Sequence, residues 1–148
     1  VFVNPTPEEL QKAVLGVPLD YVQYHGDETP DFIAQQGYPS IKALSIHGAE
    51  DVQAATNYDV DYYLFDAPGT EYKGGSGHTF DWTLLEAAGI QRDKLILAGG
   101  LKVENIQEAL SLVSPSMVDI SSGVETEGSK DTKKIEAFLQ AVKRGRAL

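Results

Sequence analysis

Apolar positions along this chain fall alternately into short runs and spaced stripes, from one end to the other. Residues 1–3 (Val-Phe-Val) read as a short strand and Asn4-Pro5 as a turn. Thr6-Pro7-Glu8-Glu9 has the form of a helix start, with Thr as N-cap, Pro at the first helical position and Glu two residues further on. Leu10, Ala13 and Val14 then supply a helical stripe. The same alternation predicts strands at 21–24, 41–46, 62–65, 94–98 and 117–121. Helices are expected after Thr29-Pro30 (bearing Phe32 and Ile33), over 50–55, through Leu84, Leu85 and Ala88, and through Val103, Ile106, Ala109 and Leu110. The last carries Ile135, Phe138, Leu139 and Val142, with Lys143, Arg144 and Arg146 where they favour its negative end.

Strictly alternating strand and helix units imply a parallel sheet with right-handed crossovers, so the fold class is α/β. An open doubly wound sheet and a (βα)-barrel both satisfy that alternation. His25, Asp66, Gly99 and Ser121 all fall at the carboxyl ends of expected strands. A barrel gathers its site from many strand ends, whereas a doubly wound sheet concentrates it at one switch point. The expectation is therefore a TIM-barrel architecture. An eight-unit barrel needs at least about 200 residues, so the six units predict a partial barrel, single-domain over 1–148, with two further units lying before Val1.

Composition narrows the partners. A chain of 148 residues, 42% hydrophobic, can bury one core. A net charge of −10 argues against nucleic acid or an acidic membrane as partner, and any anionic ligand would need a local positive site. There is no cysteine, hence no disulfide, thiol nucleophile or cysteine-based zinc site. Apolar runs of about five residues are too short to span a bilayer, and a cytoplasmic location is expected.

The chemistry centres on 62–82, where an apolar run ends in Asp66 and a glycine loop (Gly74, Gly75, Gly77) leads to a helix start near Asp81. One acid stands beside one anion cradle, since glycines let backbone N–H groups approach a ligand closely. A turn-forming surface loop would carry the same glycines.

The segments Val-Gln-Tyr-His-Gly-Asp-Glu (22–28), Ile-Lys-Ala (41–43), Phe-Asp-Ala (65–67), Gly-Gly-Ser-Gly-His-Thr-Phe-Asp-Trp (74–82), Leu-Ala-Gly-Gly-Leu (97–101), Val-Asp-Ile-Ser-Ser-Gly-Val-Glu (118–125) and Lys-Asp (130–131) run through the whole chain. In content and order they resemble the phosphoribosylanthranilate isomerase family of tryptophan biosynthesis. The resemblance implies an Amadori rearrangement of an N-(5′-phosphoribosyl)anthranilate on a TIM barrel, with no metal or organic cofactor. It implies Asp66 as general acid and Asp119 as a contact to the ribosyl group. Gly75 and Gly77, Gly99 and Gly100, and Ser121, Ser122 and Gly123 would form the phosphate site, as the last loops of barrels commonly do. Alternation puts Asp119 and Ser121 on one face. Lys42, expected inside the barrel, is either an ion-pair partner or a site residue. His25 is either a hydrogen-bonded strand-end residue or part of the pocket wall.

The family's cysteine base and its carboxylate-binding arginine, on the first two units, have no counterpart here. The chain thus matches units three to eight and is expected to be weakly active or inactive alone. The alternative is a non-catalytic, phosphate-binding barrel fragment that self-assembles. In either case a homodimer is expected, formed through strand edges at 1–3 and 117–121.

Overall fold

A computed structural model of the protein describes residues 1–66 and 84–146. The expected glycine loop, with Gly75, Gly77 and the helix start at Asp81, lies outside the described residues.

Five strands form one parallel sheet: β1 (Val22–Tyr24), β2 (Ser40–Ser45), β3 (Tyr62–Asp66), β4 (Leu95–Ala98) and β5 (Met117–Val118). Each pairs with the next in sequence, and the order never reverses as it would at a switch point. Residues 1–3 make a single parallel bridge, Phe2 to Tyr24, with Phe2 N donating to Gln23 O (2.8 Å) and His25 N to Phe2 O (2.8 Å). The ladder stops there because Asn4 turns left-handed (φ 49°) and Pro5 follows, which has no N–H to continue it. β5 is also shorter than expected, although Asp119 N still donates to Leu97 O (2.8 Å).

Helices α1 (Pro7–Gly16), α2 (Pro30–Gln36), α3 (Ala49–Ala55), α4 (Leu84–Ala87), α5 (Ile106–Val113) and α6 (Thr132–Arg146) fill the connections. Thr6 and Glu9 form the expected capping box, and Thr29 Oγ1 accepts from Phe32 N (3.2 Å). α5 starts later than the Val103 stripe predicted. Asn105 folds the preceding residues into a turn by accepting from Lys102 N (2.9 Å) and donating to Gly100 O (2.9 Å). A small antiparallel hairpin, β6 (Glu125–Thr126) and β7 (Ser129–Lys130), was not legible in the sequence. It turns through Glu127 (φ 51°) and Gly128 (φ 78°).

Register fixes the two faces of the sheet. Tyr24, Lys42, Tyr63 and Leu95 align across one face, and so do Leu44, Phe65, Leu97 and Val118. This is the helix-facing side: Phe65, Leu95 and Leu97 pack with Ile106, Ala109 and Val113 of α5 and Phe138 of α6. Burying each of these large side chains contributes roughly 1.5–3 kcal/mol. The opposite face holds a smaller cluster, Ala43, Leu64, Ile96 and Ala98. The last residues of that second row, Ser45, Asp66 and Ala98, are aligned at the carboxyl edge.

Candidate active site

Asp66 ends β3 because its backbone still belongs to the ladder, with Ile46 N donating to its carbonyl (2.8 Å), while its carboxylate stands half-buried. Period-two alternation gives it the face of Leu64, opposite Phe65. There it borders a cavity of about 330 Å³ at the carboxyl ends of the strands. The same cavity is lined by His25, Gly99, Gly100, Asp119, Ser121, Ser122 and Gly123. Every expected site residue among the described ones except Lys42 thus lies on one cavity.

Two loops shape its far wall. Gly99 (φ 88°) and Gly100 (φ 62°) take left-handed conformations that a side chain strains, and Asn105 pins the carbonyl of Gly100. Gly123 has a different requirement. A Cβ there would lie 1.9 Å from Leu101 O, so the two loops can meet only at a glycine. Bulk at Gly123 therefore strikes the neighbouring backbone.

Ser121 is held by Lys130, whose Nζ donates to Ser121 O and Oγ (3.0 Å each) and to Glu125 Oε1 (2.5 Å). Behind it Asp131 caps α6, with Oδ1 accepting from Lys133 N (2.9 Å) and Oδ2 from the Thr126 hydroxyl (2.8 Å). The Thr126 hydroxyl bond, followed by the backbone N–H of Lys134, holds the Asp131 carboxyl below its ordinary range.

Lys42 is placed otherwise. Its register with Tyr24 and Tyr63 puts it on the helix-facing side rather than in the interior, and of its two readings the ion pair is what the geometry contains. Nζ lies 2.9 Å from Glu28 Oε2 and 2.6 Å from Gly26 O, with both side chains 2% exposed. Its charge also lies 5.4 Å from the Tyr58 ring centroid. Glu28 Oε1 accepts from Asn4 N (2.8 Å) and Oε2 from Gly26 N (2.9 Å), which ties the chain after the Phe2 bridge and after β1 to the middle of β2, beside His25. Burial opposes the Glu28 charge, but the Lys42 hydrogen bond and then the Asn4 N–H outweigh it and hold the carboxyl below its usual value. Burial, then the Glu28 charge, push the Tyr24 hydroxyl up to about 12.

Sequence reasoning missed Glu28, Asn105 and Lys130 as organising residues. Glu28 and Lys130 both lay within segments that carried the family resemblance; Asn105 had no signal of its own.

A sequentially ordered parallel sheet with an acid and glycine-bearing loops gathered at its carboxyl edge is the arrangement of α/β enzymes of the TIM-barrel kind. The family model for N-(5′-phosphoribosyl)anthranilate (PRA) isomerase matches residues 1–141. A relative named N-(5′-phosphoribosyl)anthranilate isomerase from Bacillus mycoides is 48% identical over 144 residues, covering 97% of this chain and 71% of that protein. A phosphoribosyl anthranilate isomerase solved with reduced 1-(o-carboxyphenylamino)-1-deoxyribulose 5-phosphate superimposes with a TM-score of 0.78 at 34% identity, covering 97% of this chain and 69% of that one. Monomers generated from the dimeric Thermotoga maritima enzyme give 0.77 at 32% identity, covering 97% and 70%. The chain belongs to the N-(5′-phosphoribosyl)anthranilate isomerase family of tryptophan biosynthesis.

Proposed function

We propose that the 330 Å³ cavity is the substrate site for the rearrangement of N-(5′-phosphoribosyl)anthranilate to the 1-deoxyribulose 5-phosphate ketose. The observation that carries this reading is the convergence of His25, Asp66, Asp119 and the loops at 99–100 and 121–123 on one space. Asp66, the only one of these acids that ends a strand within the ladder, delivers a proton to the ribose ring oxygen as the ring opens. Removal of the C2 proton then gives an enolamine that relaxes to the ketone. Asp119 faces the ribosyl hydroxyls, His25 forms the wall, and the loops at 99–100 and 121–123 take the phosphate.

The chain has no cysteine, so the group that resemblance assigns to C2 deprotonation is missing from these 148 residues. We read the bridge at Phe2 and strands β1 to β5 as positions three to eight of an eight-unit barrel, with turnover weak or absent in this chain alone. The neighbouring edges expose Val1 (81%), Val3 (67%) and Met117 (38%), which suits a self-associating pair of edges.

Calorimetric titration with the reduced ketose phosphate tests the assignment. Binding should weaken at least tenfold for the dephospho analogue, and Asp66→Asn should retain binding while abolishing any turnover. Equal affinity for both analogues would refute the phosphate assignment.

A further inference from the structure

We propose that Lys130 is, among the described residues, a cation serving the phosphate end of this cavity, presented by the β6–β7 hairpin and restrained by Glu125. The proposal rests on the reading that the loop at 121–123 binds phosphate.

The chain carries a charge of −10, and the titratable residues described on the cavity wall are His25, Asp66 and Asp119. No Lys or Arg lines it among the described residues. An anion entering past two carboxylates needs compensation from just behind the wall. Lys130 stands there, 3.0 Å from both oxygens of Ser121, which is itself a wall residue.

The geometry does two things. An ammonium has three protons and no lone pair, and here they go to Ser121 O, Ser121 Oγ and Glu125 Oε1. With one lone pair of its Oγ taken by a cation, Ser121 keeps its hydroxyl proton, polarised, for an acceptor such as a phosphoryl oxygen. The positive charge then reaches the ligand through Ser121 rather than by direct contact, so Lys130 is a positioning residue.

The hairpin makes sense on this basis. Two strands of two residues each, with all but Glu125 exposed, bury no core, and such a hairpin is marginal by itself. Its only direct cross-strand pairs are Glu125 with Lys130 and Thr126 with Ser129. It is fastened at its base by Asp131 N to Val124 O (2.8 Å) and by Lys134 Nζ to Glu125 O (2.5 Å). What it achieves is to bring one lysine back onto Ser121.

The test is a titration of the full chain with inorganic phosphate, followed by amide NMR, for wild type, Lys130→Met and Glu125→Gln at about 20 mM and about 300 mM salt. Lys130→Met should bind about fivefold more weakly at low salt, with the gap closing at high salt. Glu125→Gln, by unmasking the ammonium, should bind two- to threefold more tightly, by roughly the weight of an exposed charge. A merely structural hairpin would make both variants weaker, independently of salt, and that result overturns the proposal. So does unchanged affinity in a Lys130→Met chain whose melt is cooperative. A wild-type chain whose Ser122 and Gly123 amides ignore phosphate removes the site itself, and with it both readings.

Discussion

Consider Lys42→Met, which removes the ammonium from the buried pair with Glu28 and leaves a methionine of similar length. Breaking a buried pair by deleting one partner costs about 3–5 kcal/mol, because the remaining charge is uncompensated. Glu28 would still accept from Asn4 N and Gly26 N, so the lower end, about 3 kcal/mol, is expected. Glu28→Met is worse. It strands the buried ammonium and also leaves those two N–H groups without their acceptor, each at a further cost of about 1–3 kcal/mol, and about 5 kcal/mol in total is expected. Against a total stability of about 5–15 kcal/mol, that variant is barely folded. The double variant should cost less than Glu28→Met alone, because it no longer strands the ammonium and leaves only the two N–H groups without their acceptor. Urea unfolding with a common m-value measures all three, and Lys42→Met should also lower the melting temperature by about 6–12 °C. Acid supplies a second reading. The Glu28 carboxyl is depressed when folded, so its contribution is present above its ordinary value of 4.5 and is lost as pH falls through the folded value. Without Lys42, burial is opposed only by the backbone N–H groups and the acid protonates more readily, so the gap between variant and wild type should narrow from pH 7 towards pH 4. A loss under about 1 kcal/mol for Lys42→Met at pH 7, or a gap that widens in acid, refutes the view that this pair clamps these segments together.

Tyr24→Phe should be neutral or stabilise by up to about 1 kcal/mol, because among the described residues the buried Tyr24 hydroxyl has no hydrogen-bond partner; a loss of more than about 1 kcal/mol in chemical denaturation would contradict that. Gly123→Ala should destabilise by about 1–3 kcal/mol and weaken phosphate binding together, since its Cβ meets Leu101 O; unchanged melting would contradict the contact. Phe65→Ala should cost about 3–5 kcal/mol through the cavity left under α5, read in the same unfolding assay. On acidification, protonation of Asp131 through its lowered pKa should loosen the first turn of α6, seen as faster amide exchange at Lys133 and Lys134 before the global transition.

The strand ends were legible because parallel strands buried on both faces appear as apolar runs, and the first polar or glycine residue after each run marks the carboxyl edge. That reasoning put Asp66, Gly99 and Ser121 at strand ends; Asp66 closes β3 and Gly99 follows β4, Ser121 lies three residues past the shortened β5, and all three line one cavity. The face of Lys42 was less legible. In a strand reading Ile-Lys-Ala-Leu, burial on both sides hides the alternation, and only the register with Tyr24 and Tyr63 reveals the side. Glu28 could not be assigned because its partners, Asn4, Gly26 and Lys42, lie in three separate units and meet only after the strands pair. The hairpin at 125–130 escaped because two-residue strands have no periodicity to detect. The glycine loop, the loudest sequence signal, lies at residues outside those described.

The sequential sheet also bears on how the chain acquires its shape. Partners across each ladder are separated by 18 residues (Val22 to Ser40) to 32 (Tyr63 to Leu95). The difference in chain-closure entropy over that range is only about 0.5 kcal/mol, so no single pairing is kinetically much more demanding than its neighbours. A chain emerging from the ribosome can therefore add one strand at a time to an edge already formed. Asp66 is in place once β3 has paired with β2, but Ser121 and Lys130 arrive only with the last thirty or so residues. Asp66 is assembled early, and the loop at 121–123 with the hairpin that touches it is completed last.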